Sequence, residues 1–242
     1  MILIYDDLEA LSHAAAGLFF QKAQHAVAER GWFAVALSGG STPRRTYELL
    51  AGPHYRERMP WSRLHVFWGD ERCVPAGDPR SNARLAREAL LDHVPVLADQ
   101  VHPIDCAEAP DQAAATYEAL LRRFFGDEPP RFDLVFLGLG ENGHTASLFP
   151  RTPVLEEQKR WVAAVQPAGQ DLQRVTLTAP LLNQAAVVAF LVSGADKAGV
   201  LRAVLEGPHD PRRLPAQLIA PPDGILQWLL DEPASQLLTR ST

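Results

Sequence analysis

Three short segments and one lysine carry residue types suited to an anionic or carbonyl substrate. The first is Ser38-Gly39-Gly40-Ser41-Thr42-Pro43. Glycines let the backbone approach a ligand closely, and the N–H groups that open a following helix attract an anion. Ser41 and Thr42 add hydroxyls, and Thr42 can cap the helix. An ordinary capped strand-to-helix turn explains the segment equally well. It lacks the lysine and the spacing of a P-loop, which argues against a nucleoside triphosphate. The second is Gly69-Asp70-Glu71-Arg72, after an apolar strand. Its carboxylates and guanidinium can orient a base and bind an oxyanion or phosphate. Taken alone it reads as a solvated charged loop.

The third segment, Gly138-Leu139-Gly140-Glu141-Asn142-Gly143, has the G-x-G-x-x-G spacing. A dinucleotide site needs a long helix next and an acidic residue ending the second strand. Here Pro150 and Pro153 interrupt at once, and Glu156 and Glu157 precede the next strand. The dinucleotide reading is rejected. His144 follows directly, among glycines at a strand end and before Thr145-Ala146-Ser147, where a loop can aim it into a cleft. A lone histidine is more often structural, but no other of the eight has such a setting. No His/Cys spacing suggests zinc, and no G-x-S-x-G elbow supports a serine esterase. Lys197 opens a helix after the most apolar strand and is one of only three lysines. It reads by default as solvated, yet an ammonium at that edge can reach a phosphate.

The elements that must position these residues alternate in type. Strands are expected at Ile2 to Tyr5, Trp32 to Leu37, Leu64 to Trp68, Phe132 to Leu137, Trp161 to Val165, Val175 to Thr178, Ala186 to Val192 and Ile225 to Leu230. Helices fall between them. A long one runs to about Arg30, capped by Asp6 with Glu9 in the capping-box place. Others begin at Pro43, after Ser81, at Ala113 and at Ala195, with a short one after Asp231. Gly69 to Pro79 reads as a loop, and Pro208 to Pro222 as a long surface connection. The expected fold is a single α/β domain over residues 1–242, doubly wound, with a mostly parallel sheet and helices on both faces. Ligands of such sheets bind beyond the carboxyl ends of the strands, where all three segments fall.

Composition narrows the partners. The 242 residues are 47% hydrophobic and 21% charged, with a net charge of −6. Neither nucleic acid nor a membrane is expected from that field, so an anionic substrate needs local positive charge. No signal peptide is apparent, and the longest apolar run, Ala185 to Val192, is too short to span a bilayer. A cytoplasmic location is expected. Cys73 and Cys106 allow at most one disulfide, and two reduced thiols are the expected state.

Together these segments resemble the 6-phosphogluconolactonase family. The resemblance rests on Ser38 to Pro43, on Asp70-Glu71-Arg72-Cys73-Val74-Pro75 with Ser81-Asn82, and on Gly138 through Pro150. Arg174-Val175-Thr176-Leu177-Thr178 and Gly194-Ala195-Asp196-Lys197 follow in order. It spans nearly the whole chain, and Gly-His-Thr-Ala-Ser-Leu-Phe-Pro is its most specific block.

The resemblance implies hydrolysis of 6-phospho-D-glucono-1,5-lactone in the oxidative pentose phosphate pathway, without cofactor or metal. It implies a fold shared with glucosamine-6-phosphate deaminases and ribose-5-phosphate isomerases. His144 would be the general base, Arg72 would stabilise the oxyanion or the phosphate, and Asp70 would hold Arg72 or the sugar hydroxyls. Gly39, Gly40, Ser41, Thr42, Arg174 and Lys197 would bind substrate and phosphate. The expected partner is a small sugar-phosphate lactone, with the chain a monomer or weak homodimer. One departure is Asn142, where the family usually carries aspartate. Two rivals are a sugar-phosphate deaminase or isomerase on the same fold, and a non-catalytic sugar-phosphate sensor. The first typically shows Asp-Glu-Tyr in place of Asp70-Glu71-Arg72; the second would need a DNA-binding helix-turn-helix.

Overall fold

The computed structural model of the protein describes residues 1–126 and 130–239. Its strands are β1 (Ile2–Tyr5), β2 (Phe33–Leu37), β3 (Leu64–Trp68), β4 (Asp70–Arg72), β5 (Leu134–Leu137), β6 (Val162–Val165), β7 (Arg174–Leu177), β8 (Val187–Val192) and β9 (Ile225–Asp231). Its helices are α1 (Leu8–Arg30), α2 (Ser41–Ala51), α3 (Pro53–Arg56), α4 (Asn82–Ala89), α5 (Pro110–Phe125), α6 (Ala179–Leu182), α7 (Ala198–Glu206) and α8 (Glu232–Ser235).

Six strands form a parallel sheet in the order β1-β9-β8-β5-β2-β3. The inner strands β2, β5 and β8 are apolar runs buried at every position, as strands covered on both faces must be. Residues of β2 alternate between the two faces. Phe33 meets Phe19 of α1 with ring centroids 5.3 Å apart. Ala34 and Ala36 share the other face with their register partners His65 and Phe67, which pack on Phe124 of α5. Helices therefore cover both faces. A bidentate contact from Arg45 to Glu9, at 2.6 and 2.7 Å, ties α2 to α1.

The chain builds outward from β2 to β3, then returns to place β5 on the other side of β2. This reversal opens a crevice between the carboxyl ends of β2 and β5, the position where such sheets bind ligands.

Three expectations are corrected. Asp7, not Asp6, caps α1, accepting from the Ala10 N–H at 2.8 Å, and Glu9 is engaged by Arg45 rather than by a capping box. The stretch read as a loop contains β4, whose three charged residues pair antiparallel with β7 in a second sheet ordered β4-β7-β6. Charged residues with no apolar alternation gave no strand signal; the pairing comes from a segment a hundred residues away. Finally, the proline-rich connection is not simply surface. Leu214, Pro215, Ala216 and Ile219 are buried, and the Ala216 N–H donates to the Gly143 carbonyl at 2.9 Å.

Candidate active site

Loops from the carboxyl ends of β2, β5 and β8, together with β4 and β7, surround an open cleft of about 290 Å³. Gly39, Gly40, Ser41, Thr42, Asp70, Arg72, His144, Arg174 and Lys197 all line it. The residues expected to act in catalysis or binding thus arrive at one place from distant segments, whereas Glu71 and Asn142 are not among the lining residues.

His144 is set by its neighbours on the β5 loop. Its ring lies over Gly140 so closely that a Cβ there would sit 2.0 Å from two ring atoms. No other residue fits at 140 without displacing the imidazole. The ring also stacks on Phe149, centroids 4.2 Å apart. Its Nδ1 lies 2.6 Å from Asn142 Oδ1. The loop is braced from below by Leu214, through the contact with Gly143. Burial first, then the charges of Arg174, Lys197 and Arg72, push the imidazole pKa down to about 4. His144 is therefore neutral at pH 7.

Asp70 and Arg72 leave β4 on either side of Glu71, and here the expected contact is corrected. Asp70 does not hold Arg72. Its buried carboxylate accepts from Ser147 Oγ at 2.6 Å and from Asn82 Nδ2 at 3.2 Å. Arg72 Nη1 instead donates to Asn82 Oδ1 and to the Arg80 carbonyl, both at 2.8 Å. Asn82 is thus the joint between the two, and a Cβ on Gly39 would strike its Oδ1 at 1.7 Å. Glu71 faces inward, accepting from the N–H groups of Arg72, Asn82 and Ala83 and from Ser81 Oγ. Burial raises its carboxyl pKa against these hydrogen bonds, and the carboxylate serves to anchor the α4 N-terminus to β4.

The cleft is positive. Arg72 stands directly across from Arg174 in the β4–β7 ladder, and like charges so placed repel. Burial, and then Arg72, lowers the Arg174 pKa. The Nε atoms of both arginines are buried without a partner among the described residues. Arg174 also lies over Phe149, 5.1 Å from the ring centroid, so one phenyl ring supports both the cation and His144. The helix expected from Ala195 starts as a 3-10 turn, Ala195–Lys197, and Lys197 stands at the N-cap position of α7. Its Nζ is 3.3 Å from Asp196. The Asp231 carboxylate accepts from the Gly194 N–H and from Ser193 Oγ, fixing the turn to β9.

On the β2 side, α2 starts at Ser41 rather than Pro43, with Gly40 at the cap position and no side-chain cap. Thr42 does not cap it. The first turn of this eleven-residue helix lines the cleft and has no side-chain capping acceptor among the described residues, an arrangement that favours an anion.

Asn82, Ser147, Phe149 and Leu214 carry structural weight that their sequence setting hardly announces. Ser81-Asn82 stood in the family pattern without a role, and a polar residue just after a helix cap ordinarily faces water. Gly39 leaves the room and the bonds to Asp70 and Arg72 hold the side chain inward, so Asn82 is buried.

A family model for glucosamine-6-phosphate isomerases/6-phosphogluconolactonase matches residues 6–228. A 6-phosphogluconolactonase of Synechocystis sp. is 48% identical over 217 residues, 88% of this chain and 88% of the relative. One of Nostoc sp. is 39% identical over 240 residues, covering 98% and 97%. The solved structure of 6-phosphogluconolactonase from Trypanosoma brucei matches with a TM-score of 0.85 at 31% identity, covering 99% of this chain and 98% of that one. With the motifs gathered in one cleft and these similarities spanning the chain, the protein belongs to the glucosamine-6-phosphate isomerase/6-phosphogluconolactonase family.

Proposed function

We propose that the chain hydrolyses 6-phospho-D-glucono-1,5-lactone to 6-phosphogluconate, as a cytoplasmic enzyme of the oxidative pentose phosphate pathway. The observation that carries this reading is one cleft lined together by His144, by the two opposed arginines Arg72 and Arg174, and by the N-terminus of α2. Relatives that cover nearly all of the chain bear the lactonase name.

The chemistry follows from these groups. The phosphate lies against the N–H groups of Ser41 and Thr42 and the ammonium of Lys197, which orient the lactone ring. Nε2 of His144 takes a proton from water as its oxygen bonds to the lactone carbonyl carbon. The carbonyl π electrons move to oxygen, and Arg72, with Arg174 beside it, stabilises that oxyanion. Collapse re-forms the carbonyl and breaks the bond to the ring oxygen, which receives the proton from His144. The new carboxylic acid then ionises. Asp70, held by Ser147 and Asn82, accepts from sugar hydroxyls. A δ-lactone is already an activated ester, so a positioned base and one oxyanion donor, worth about 10²–10⁴-fold and 10²–10³-fold respectively, suffice.

The direct test is acid release from freshly prepared 6-phosphogluconolactone, followed against the spontaneous rate. Release no faster than that background would refute the reading.

A further inference from the structure

Two thiols outside the cleft meet without any role in the proposed reaction. Cys73 Sγ and Cys106 Sγ lie 2.6 Å apart, and neither residue lines the cleft. Cys73 directly follows Arg72, and its N–H donates to the Gln173 carbonyl at 2.9 Å, extending the β4–β7 ladder. Cys106 lies between His102, whose N–H donates to the Val66 carbonyl of β3 at 2.8 Å, and the start of α5 at Pro110. Both side chains are half-buried against the core, so their approach is fixed while an oxidant still reaches them.

We propose that Cys73 and Cys106 form an oxidation site, which a small peroxide converts to a reversible intramolecular disulfide that pins β4 to the segment ahead of α5 and leaves the cleft working. The Cys73 thiolate attacks one peroxide oxygen, breaking the O–O bond and giving a sulfenic acid and hydroxide. The Cys106 sulfur then attacks the sulfenic sulfur. The S–S bond forms, and the sulfenic hydroxyl leaves as water with the thiol proton. Overall two thiols and one hydrogen peroxide become one disulfide and two waters. A dithiol reductant reverses the step by exchange. The order follows from the pair itself. The hydrogen bond from Cys106 lowers the pKa of Cys73, and the same contact raises that of Cys106. Cys73 is therefore the attacking thiolate and Cys106 the resolving thiol.

Because the sulfurs are already in contact, closure needs only a small shift, and Arg72 keeps its bonds to Asn82 and Arg80. The bond also removes freedom from the unfolded chain by closing the loop between residues 73 and 106. Oxidation is accordingly expected to stabilise the fold without stopping the reaction.

The experiment uses the full chain, reduced and then treated with stoichiometric hydrogen peroxide, followed by alkylation under denaturing conditions. Two alkylatable thiols should fall to none, with loss of two hydrogens by intact mass and a monomer on a non-reducing gel. Tm should rise by about 5–10 °C, revert with dithiothreitol, and not rise in Cys106→Ser. Lactone turnover should stay within about twofold, and Cys106→Ser should match the wild type before oxidation. Persistence of both thiols, a sulfinic acid at Cys73, or a crosslinked dimer would overturn the site. Reversible loss of turnover on oxidation would overturn the claim that the cleft keeps working. The thiol count, mass and Tm do not depend on the lactonase reading, so the two proposals fail separately.

Discussion

Asn142 Oδ1 accepts from both the backbone N–H of His144, at 3.2 Å, and the ring Nδ1 of the same residue, at 2.6 Å. A backbone N–H can only donate, so the oxygen end of the amide must face it. The ring nitrogen against that oxygen must then carry hydrogen. Neutral His144 is thereby held as the Nδ1–H tautomer, with its lone pair on Nε2. Asparagine thus orients the base without charging it.

Asn142→Asp should change that charge. A carboxylate at this distance favours the imidazolium and raises the His144 pKa from about 4, by about one unit or more. The acid limb of the kcat/KM profile should move to higher pH with the fold unchanged. An unmoved limb would detach position 142 from the base, and a downward shift would contradict assigning the limb to His144.

His144→Ala should lower kcat by at least about 10²-fold with little change in KM, as the loss of a general base does. The circular dichroism spectrum should be unaltered. Near wild-type turnover in such a protein would remove His144 from the mechanism.

Substrate phosphate should act back on the base. Besides burial, the charges that lower the His144 pKa are Arg174, Lys197 and Arg72. A bound phosphate dianion offsets them, so the pKa should rise from about 4 when 6-phosphogluconate is added. Imidazole NMR titration with and without the product checks this. The same pKa in both would place the phosphate away from the histidine.

Phosphate recognition should also dominate specificity. Lys197→Ala is expected to damage kcat/KM far more than it alters the fold, and unphosphorylated gluconolactone should be a much poorer substrate. Steady-state kinetics on the two lactones decide the matter; equal efficiency would dismiss the clamp.

Asn82→Ala removes the joint between Asp70 and Arg72. The buried carboxylate loses one donor and the guanidinium one acceptor, costing about 1–3 kcal/mol of stability by urea denaturation. Because Arg72 is then free to swing, kcat should fall more than KM rises. A stability loss with unchanged kcat would leave Asn82 a purely structural residue.

The sequence was informative where local chemistry and location coincide. Glycine loops after apolar strands marked the edge of the sheet, and the setting of His144 among glycines separated it from the other histidines. Contacts between distant segments left no such trace. Asp70 to Arg72 looked like a solvated loop because nothing local reveals pairing with Arg174 to Thr176. Leu214 and Ala216 sat in a proline-rich stretch whose composition suggested surface, although they brace the His144 loop. Asp6 and Asp7 are both good caps, and one residue of phase in the helix decided between them. The partners of Asp70 escaped for a related reason: a carboxylate beside an arginine in sequence points to the opposite side of a strand only at odd separations, and these two are separated by an even one, yet Asn82 comes between them.

The pairing of β1 with β9 bears on how the molecule is made. During synthesis β1 finds its neighbour β9 only after about two hundred further residues have followed. Until then β8 lacks one of its two partners, and the turn bearing Lys197 lacks Asp231, which fixes it from β9. Assembly dominated by such distant pairings is slow. A nascent chain can build the β2–β3 and β5 region early, with His144 and the α2 N-terminus on their loops, but Lys197, the cation that completes the phosphate clamp, becomes fixed last. Competence to bind should therefore appear late and abruptly during synthesis, rather than growing with chain length.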